Sequence, residues 1–311
     1  MKACPACGGQ LEPWRRVPSG EPSDRRVFEL LRCTLCASAV TGGEPPGAEA
    51  YEQGVYAPGT PRLAPFLRAA QRLAALQPVA ALDRAGLRPG GRVLDAGAGR
   101  GRLVEALRGR GYDARGIEPS ARGADAAQAA GLPVEAERIE DHSDDGLAAV
   151  VLWHVLEHLD QPAPALRRVR EWLDPGGLVL IGVPNAASLQ ASIGGAGWLH
   201  WDAPRHRLHL TPAGLRSLLR GAGLEPLRTD HMVWEHNPAG MWMALLARAG
   251  MTPGLPFHLL KRNAKPRVRD VALIIAGLPL APAAVALELF AAGQRRGGTL
   301  AIVARAGPID A

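Results

Sequence analysis

Residues 92–101 read Arg-Val-Leu-Asp-Ala-Gly-Ala-Gly-Arg-Gly, and this decapeptide restricts the fold more tightly than any other segment. Val93 and Leu94 close a short apolar run, as the end of a buried parallel strand does. Asp95 follows, then glycines at 97, 99 and 101, then a helical pattern from Arg102 to Arg108. Strand, glycine turn and helix together bring backbone N–H groups close to a bound molecule. Glycine is required where a side chain would collide with that molecule or forbid the turn.

The spacing narrows the choice of molecule. A dinucleotide fingerprint needs G-x-G-x-x-G, and its third glycine would fall on Arg102. The sequence present is D-x-G-x-G-x-G, which resembles motif I of class I S-adenosylmethionine (SAM) dependent methyltransferases. An ordinary tight turn between strand and helix is the alternative. The resemblance implies that Asp95, Gly97, Ala98, Gly99 and Gly101 line the cofactor. Ala98 departs from the cysteine or serine that many members carry, and a backbone-contact position should tolerate it.

The rest of the chain alternates strand and helix signals. Strands are expected at 92–95, 114–117, 133–137, 147–152, 178–183, from about 224, and at 299–305; helices at 62–85, 120–130, 163–173 and 212–222. Residues 63, 66, 67, 70, 73 and 74 place one apolar face on the first helix. Ser120 and Thr211 suit N-caps, and 147–152 is the continuous apolar run of a strand covered on both faces. The alternation predicts an α/β, doubly wound, Rossmann-like, seven-stranded and mostly parallel sheet. Its ligands sit beyond the carboxyl ends of the strands, which puts Asp95, Glu118 and the segment after Leu152 in one crevice.

All four cysteines lie in the first 36 residues, as Cys4-Pro-Ala-Cys7 and Cys33-Thr-Leu-Cys36. Thiolates two residues apart grip one metal ion from a tight turn, and two such turns complete a tetrahedral site. The pattern resembles a zinc ribbon with a structural zinc; two disulfides or free thiols are the alternative. The opening Met-Lys-Ala-Cys-Pro lacks the apolar stretch of a secretory signal, so a cytoplasmic setting is expected. A ribbon at 1–43, a methyltransferase domain at 51–234 completed by 297–311, and an apolar helical insertion at 235–296 form the expected organisation.

Glu118 stands where a carboxylate can accept both ribose hydroxyl hydrogens of an adenosine. In this fold the stretch after strand three, here Ile139 and Glu140, contacts adenine, although the acids from Glu137 to Asp145 equally suit a solvated loop. The run Trp153-His154-Val155-Leu156-Glu157-His158 resembles the methyltransferase family that contains ubiquinone-biosynthesis O-methyltransferases and many cell-envelope enzymes. It implies Trp153 beside the cofactor, with His154, Glu157 and His158 as catalytic candidates. Histidine has a pKa near neutrality and Glu157 can orient it. The i, i+4 spacing would put both histidines on one helical face, where metal binding is conceivable. Pro204-Arg205-His206 before a helix start also looks like this family, making His206 a second candidate base and Trp198 and Trp201 the apolar wall of an acceptor pocket. Tyr51 and Tyr56 look like an amino-terminal lid over SAM.

The implied activity is methyl transfer to oxygen or nitrogen of a small-molecule, lipid-linked or saccharide acceptor. Two alternatives stand beside it: an RNA methyltransferase that grips nucleic acid through the ribbon, and a non-catalytic SAM-binding partner protein. The net charge of +6 comes almost wholly from arginine, since lysine occurs only at 2, 261 and 265. That usage fits a GC-rich coding sequence as well as it fits nucleic-acid contact. Residues 271–287 carry no charge and follow the basic stretch 261–269. Pro279 and Pro282 interrupt the run. A strand at 299–305 that must return to the sheet opposes a single membrane crossing. Peripheral contact at the inner membrane face, a lid, or a homodimer helix are the readings that remain.

Overall fold

The computed structural model describes residues 3–47, 64–260 and 264–307. At the amino end, β1 (Leu11–Pro18) and β2 (Val27–Cys33) form an antiparallel hairpin, and β3 (Ala39–Thr41) extends it. The fourth strand of this small sheet is β9 (Leu208–His209), contributed from far downstream: Ala39 pairs with His209 and Val40 with Leu208. A sequence boundary at residue 43 therefore does not mark a closed unit.

After α1 (Ala64–Arg84), the second sheet begins with β4 (Arg92–Ala96), α2 (Arg102–Gly109), β5 (Asp113–Ile117), α3 (Ala121–Gln128) and β6 (Val134–Glu135). It continues with β7 (Leu147–Trp153), α4 (Pro162–Trp172) and β8 (Leu173–Pro184). Beyond α5 (Leu189–Gly194) and β9 come α6 (Pro212–Gly221), β10 (Leu224–Asp230) and finally β11 (Thr299–Ala306). The order is β10-β11-β8-β7-β4-β5-β6. β11 runs antiparallel to both neighbours, and the remaining pairings are parallel. This is the doubly wound sheet that the alternating pattern predicts.

The sequence explains these elements locally. Val150, Val151 and Leu152 are buried on β7 because helices cover both faces of the sheet. Ser120 caps α3 by accepting from Gly123 N, and Thr211 caps α6 by accepting from Gly214 N, with Pro212 in the first turn. β8 starts five residues earlier than the apolar pattern suggests. The β7–β8 register slips between Leu147 and Ala149, so Asp174-Pro-Gly-Gly177 is absorbed as an irregularity, exposed at 174–176 and buried at Gly177. Of the apolar face expected near the start of α1, the side chains at 63, 66, 67 and 70 lie outside the described residues, Leu73 is 69% exposed and Ala74 half-buried; further along, the helix buries Val79, Ala81 and Leu82. Asp144 is held by Arg92 at 3.1 Å and by Arg115, which makes it a structural carboxylate.

Between β10 and β11 lie α7 (Asn237–Arg248), α8 (Leu255–Leu260), α9 (Val268–Gly277) and α10 (Ala281–Gly293). A 3-10 turn at Leu278–Leu280 joins α9 to α10, giving a continuous helical run Val268–Gly293. α7 underlies it. Met241 packs with Ala284 and Ala291, and Trp242 Nε1 donates to Gly277 O at 2.7 Å.

Candidate active site and cysteine cluster

The glycine turn sits at the carboxyl end of β4. Gly97, Gly99 and Gly101 all have positive φ, at 94°, 54° and 74°. At Gly97 a Cβ would run into the Val155 side chain, and at Gly101 into Leu132, so neither position admits a larger residue without displacement. Gly97 N and Ala98 N donate to Ile117 O at 2.8 and 3.0 Å, which stitches the turn to the end of β5. Glu118 follows directly. Its carboxylate accepts from Gly99 N at 2.9 Å and from Ser120 N at 2.9 Å. One acid therefore braces both the glycine turn and the start of α3.

Asp95 is buried to 2% exposure. Burial first, and then the charge of Glu118, push its carboxyl up to about 7. Two carboxylates facing one crevice form a site that a cation or a set of hydroxyl donors would stabilise. Open space lies beyond Gly99, where a Cβ would touch nothing within 4 Å. These features fit a positively charged nucleoside: main chain without side chains, and acids placed to accept from a sugar. Ile139 is buried behind β6, and Glu140 is exposed and paired with Arg138 at 3.3 Å. Tyr51 and Tyr56 lie outside the described residues.

Beside the glycine turn, past Val155, lies a cluster of imidazoles, with His206 and His209 buried and His154, His158, His200 and His236 half-buried. Six of the nine histidines converge there. Trp153 ends β7, its indole filling space that Gly182 leaves open and donating to Glu235 at 3.3 Å. His154 follows in the left-handed region, at φ 58°. The next residues form a 3-10 turn, Leu156–His158. This corrects the helical-face expectation: no α-helix carries His154 and His158, and they meet different partners. His154 stacks edgewise on His236, with centroids 4.4 Å apart, and His158 on His206 at 4.7 Å.

His154 Nδ1 is 3.0 Å from Glu157 Oε1. Burial works against the charged ring, but the Glu157 carboxylate outweighs it and holds His154 above its ordinary value. Burial likewise opposes the Glu157 charge. His154, then His158 and His206, override it and bring Glu157 to about 2. His158, His200, His209 and His236 move the opposite way. Burial and then His206 depress His158 to about 4 and His209 to about 3. Burial and then His236 hold His200 well below its ordinary value. His154 Nε2 and Glu157 Oε2 are both buried without a hydrogen-bond partner in the protein. A carboxylate orienting one ring nitrogen while the other awaits a proton is the arrangement of a general base. Ligand atoms of Glu157, His158 and His206 also lie within 4.8 Å of one another, so this group has the geometry to hold a metal ion.

The sequence profile of a methyltransferase-domain family matches residues 66–229. The chain belongs to that family. The ubiquinone biosynthesis O-methyltransferase of one Cereibacter sphaeroides strain is 31% identical over 171 residues, 50% of this chain and 68% of the relative. That of Paracidovorax citrulli is 30% identical over 49% of this chain and 71% of its own length. In two other C. sphaeroides strains the match is 34% over 105 residues, and it spans only 42% of the relatives' length. The 1,6-didemethyltoxoflavin-N1-methyltransferase structure from Burkholderia thailandensis aligns over 88% of this chain and 98% of its own, at 19% identity and a TM-score of 0.44.

Attached to the methyltransferase domain is the cysteine cluster. Cys4 and Cys36 sulfurs are 3.7 Å apart, Cys7 and Cys33 3.4 Å, and all four lie within 4.8 Å of one another. No disulfide joins them. Bonded sulfurs stand about 2.05 Å apart. Four thiolates around one ion at about 2.3 Å stand nearer 4 Å from one another. The cluster also reaches the histidine wall. Thr211 Oγ1 donates to Cys36 O at 2.6 Å, and Thr41 Oγ1 donates to His206 O at 2.6 Å and lies 2.9 Å from His209 Nε2. Trp198 and Trp201 are not an exposed acceptor wall. Both are buried with Val17 and Leu30 of β1 and β2, and they cement the small sheet to the larger domain.

Sequence reasoning missed His200, Glu235, His236 and Thr41. His200 stood in the tryptophan-rich loop and carried a signal. Nothing local distinguishes the others, because only the fold brings Glu235 and His236 to His154 and Thr41 to His206 and His209.

Proposed function

We propose that the chain is a SAM-dependent methyltransferase acting on a hydroxyl group of a small, apolar or lipid-tailed acceptor. The single observation that carries this is the close approach of two constructions: a side-chain-free turn braced by Glu118, and the segment after β7, whose Val155 side chain meets Gly97 and whose His154 pairs with Glu157. SAM, when bound, supplies an electrophilic methyl group on a sulfonium. The chain's own residues do the rest. The glycine turn admits the nucleoside, Glu118 accepts from its ribose, and the ionised Asp95 favours its positive charge. His154 takes the acceptor's proton at Nε2, and Glu157 fixes the ring and stabilises the imidazolium. Depressed neighbours such as His158 and His200 stay neutral, so they crowd the site with polarisable rings without repelling a cation.

The relatives are named O-methyltransferases of ubiquinone biosynthesis, which favours oxygen over nitrogen as the nucleophile. Zinc is the ion proposed for Cys4, Cys7, Cys33 and Cys36: four thiolates leave no open position, so its role is structural.

Calorimetric titration with SAM tests the cofactor half. Glu118→Ala should weaken binding by roughly 10- to 100-fold, the scale of a hydrogen bond to a charged group; unchanged affinity would remove the site. Labelled SAM incubated with lipid, RNA and soluble cell fractions tests the acceptor half. Label in the lipid or small-molecule pool supports the reading. Label in RNA would favour nucleic-acid methylation, and tight SAM binding with no labelled product a non-catalytic partner.

A further inference from the structure

The helical run Val268–Gly293 wears its charges on the wrong side for a water-facing surface. It has 26 residues, and its most apolar stretch has a mean hydropathy of 2.0 and is only 17% buried. Its two acids, Asp270 and Glu288, point into the protein. Asp270 accepts from Thr252 N at 3.0 Å and from Thr252 Oγ1 at 3.1 Å. Glu288 accepts from Gly298 N and from Gln190 Nε2, both at 2.8 Å. What faces outward is hydrocarbon: Val271, Ile275, Leu278, Leu280, Leu289 and Phe290, with Ile275 and Phe290 each more than 60% exposed. Single exposed apolar residues are ordinary, but a continuous strip of them marks a contact surface.

The strip is bracketed by cations. Lys265, Arg267 and Arg269 are exposed before it, and Arg295 and Arg296 after it; among the described residues, no exposed acid lies between 264 and 298. We infer that α9 and α10 lie in the plane of an anionic lipid surface, with the apolar strip in the acyl boundary and the flanking cations at the headgroups.

A spanning arrangement does not fit. At about 1.5 Å per residue the run is long enough to cross a bilayer, but it is pinned to one face of the domain at its start, middle and end. Asp270 holds the first turn, Gly277 O the middle through Trp242, and Glu288 the last helix. The chain then enters β11 between β8 and β10. A second copy fits less well than lipid. Both ends of the strip are basic, so a symmetric partner would set cation against cation in either orientation. An anionic surface complements both ends at once.

The placement has a consequence for the crevice. α7, which lies under the apolar run, begins next to His236, whose ring packs on His154. Docking of α9 and α10 would hold the histidine wall one helix away from the lipid.

Flotation of the full chain with vesicles tests this. Vesicles containing phosphatidylglycerol should carry the protein upward, and pure phosphatidylcholine should bind it at least tenfold more weakly. Each flanking cation contributes about fivefold. Ile275→Asp with Phe290→Asp should abolish flotation and leave SAM affinity and melting temperature unchanged, since neither residue touches the crevice. Arg267→Glu with Arg295→Glu should erase the preference for phosphatidylglycerol. Failure of the wild-type chain to float would overturn the inference. So would a stable dimer in solution that the aspartate variant dissociates, which would assign the strip to a second copy. Flotation does not depend on methyl transfer, so it stands or falls separately from the proposed function.

Discussion

The two walls of the crevice are built by different rules. The cofactor wall is made of sequence neighbours: β4, the glycine turn and Glu118 after β5 all fall within 92–118, and their contacts are mostly main-chain. The histidine wall is assembled from segments that are far apart: His154 and Glu157 after β7, His200 and His206 in the tryptophan loop, His236 before α7, and Thr41 from the amino-terminal sheet. A wall of local parts survives loss of its distant neighbours. A wall of distant parts depends on all of them.

Stripping the cysteine cluster should break that symmetry most sharply. A Cys4 zinc site contributes roughly 10–16 kcal/mol to a small module. Cys33→Ser should therefore unfold the amino-terminal sheet, release β9 with His206 and His209, and abolish methyl transfer. SAM affinity, read by calorimetry, should stay within about twofold of wild type. Equal loss of both would mean that the walls are not independent.

Glu157→Gln acts within the histidine wall alone. Removing the orienting carboxylate should slow transfer by about 10²- to 10⁴-fold, the scale of general-base catalysis. The pH profile carries a second signature. His154 is held above its ordinary value by Glu157, and a base works only when neutral, so wild-type activity should rise with pH through that raised pKa. The variant's acidic limb should move to lower pH. An unmoved limb would take the base role away from His154.

Asp95→Asn gives the smallest effect, and one of opposite sign on two readouts. Asp95 has a folded pKa raised from 3.8 to about 7. An acid raised on folding costs stability once pH exceeds its unfolded value, so the protein without SAM should lose stability as pH climbs from about 4 towards 7 and above. The asparagine variant should lack that decline and melt a few degrees higher near neutrality, on the order of 2 kcal/mol. It should also bind SAM more weakly. A lower melting temperature would show that the buried carboxylate is not strained.

What was legible in the sequence follows the same division. The sheet could be read because buried parallel strands write continuous apolar runs and the helices carry caps at Ser120 and Thr211. The glycine turn could be read because backbone geometry forces the residue type. The histidine wall could be read only in part: the motif after β7 and the loop before α6 pointed to His154, Glu157, His158 and His206, but encounters across 165 residues, such as Thr41 with His206, leave no periodic trace. The two errors at the candidate site have the same origin. His154 and His158 were spaced for a helix, but the chain takes a left-handed step and a 3-10 turn. Trp198 and Trp201 sit in a loop near the crevice, yet their surface is consumed by β1 and β2, whose position no local pattern discloses.

The pairing of β3 with β9 also fixes an order of events at the ribosome. The cysteines emerge well before the strand that completes their sheet, which is translated only after β4 to β8 of the larger domain. A nascent chain must therefore carry an open β3 edge until residue 209 has emerged, and β11, which fills the gap between β8 and β10 in the larger sheet, is made later still.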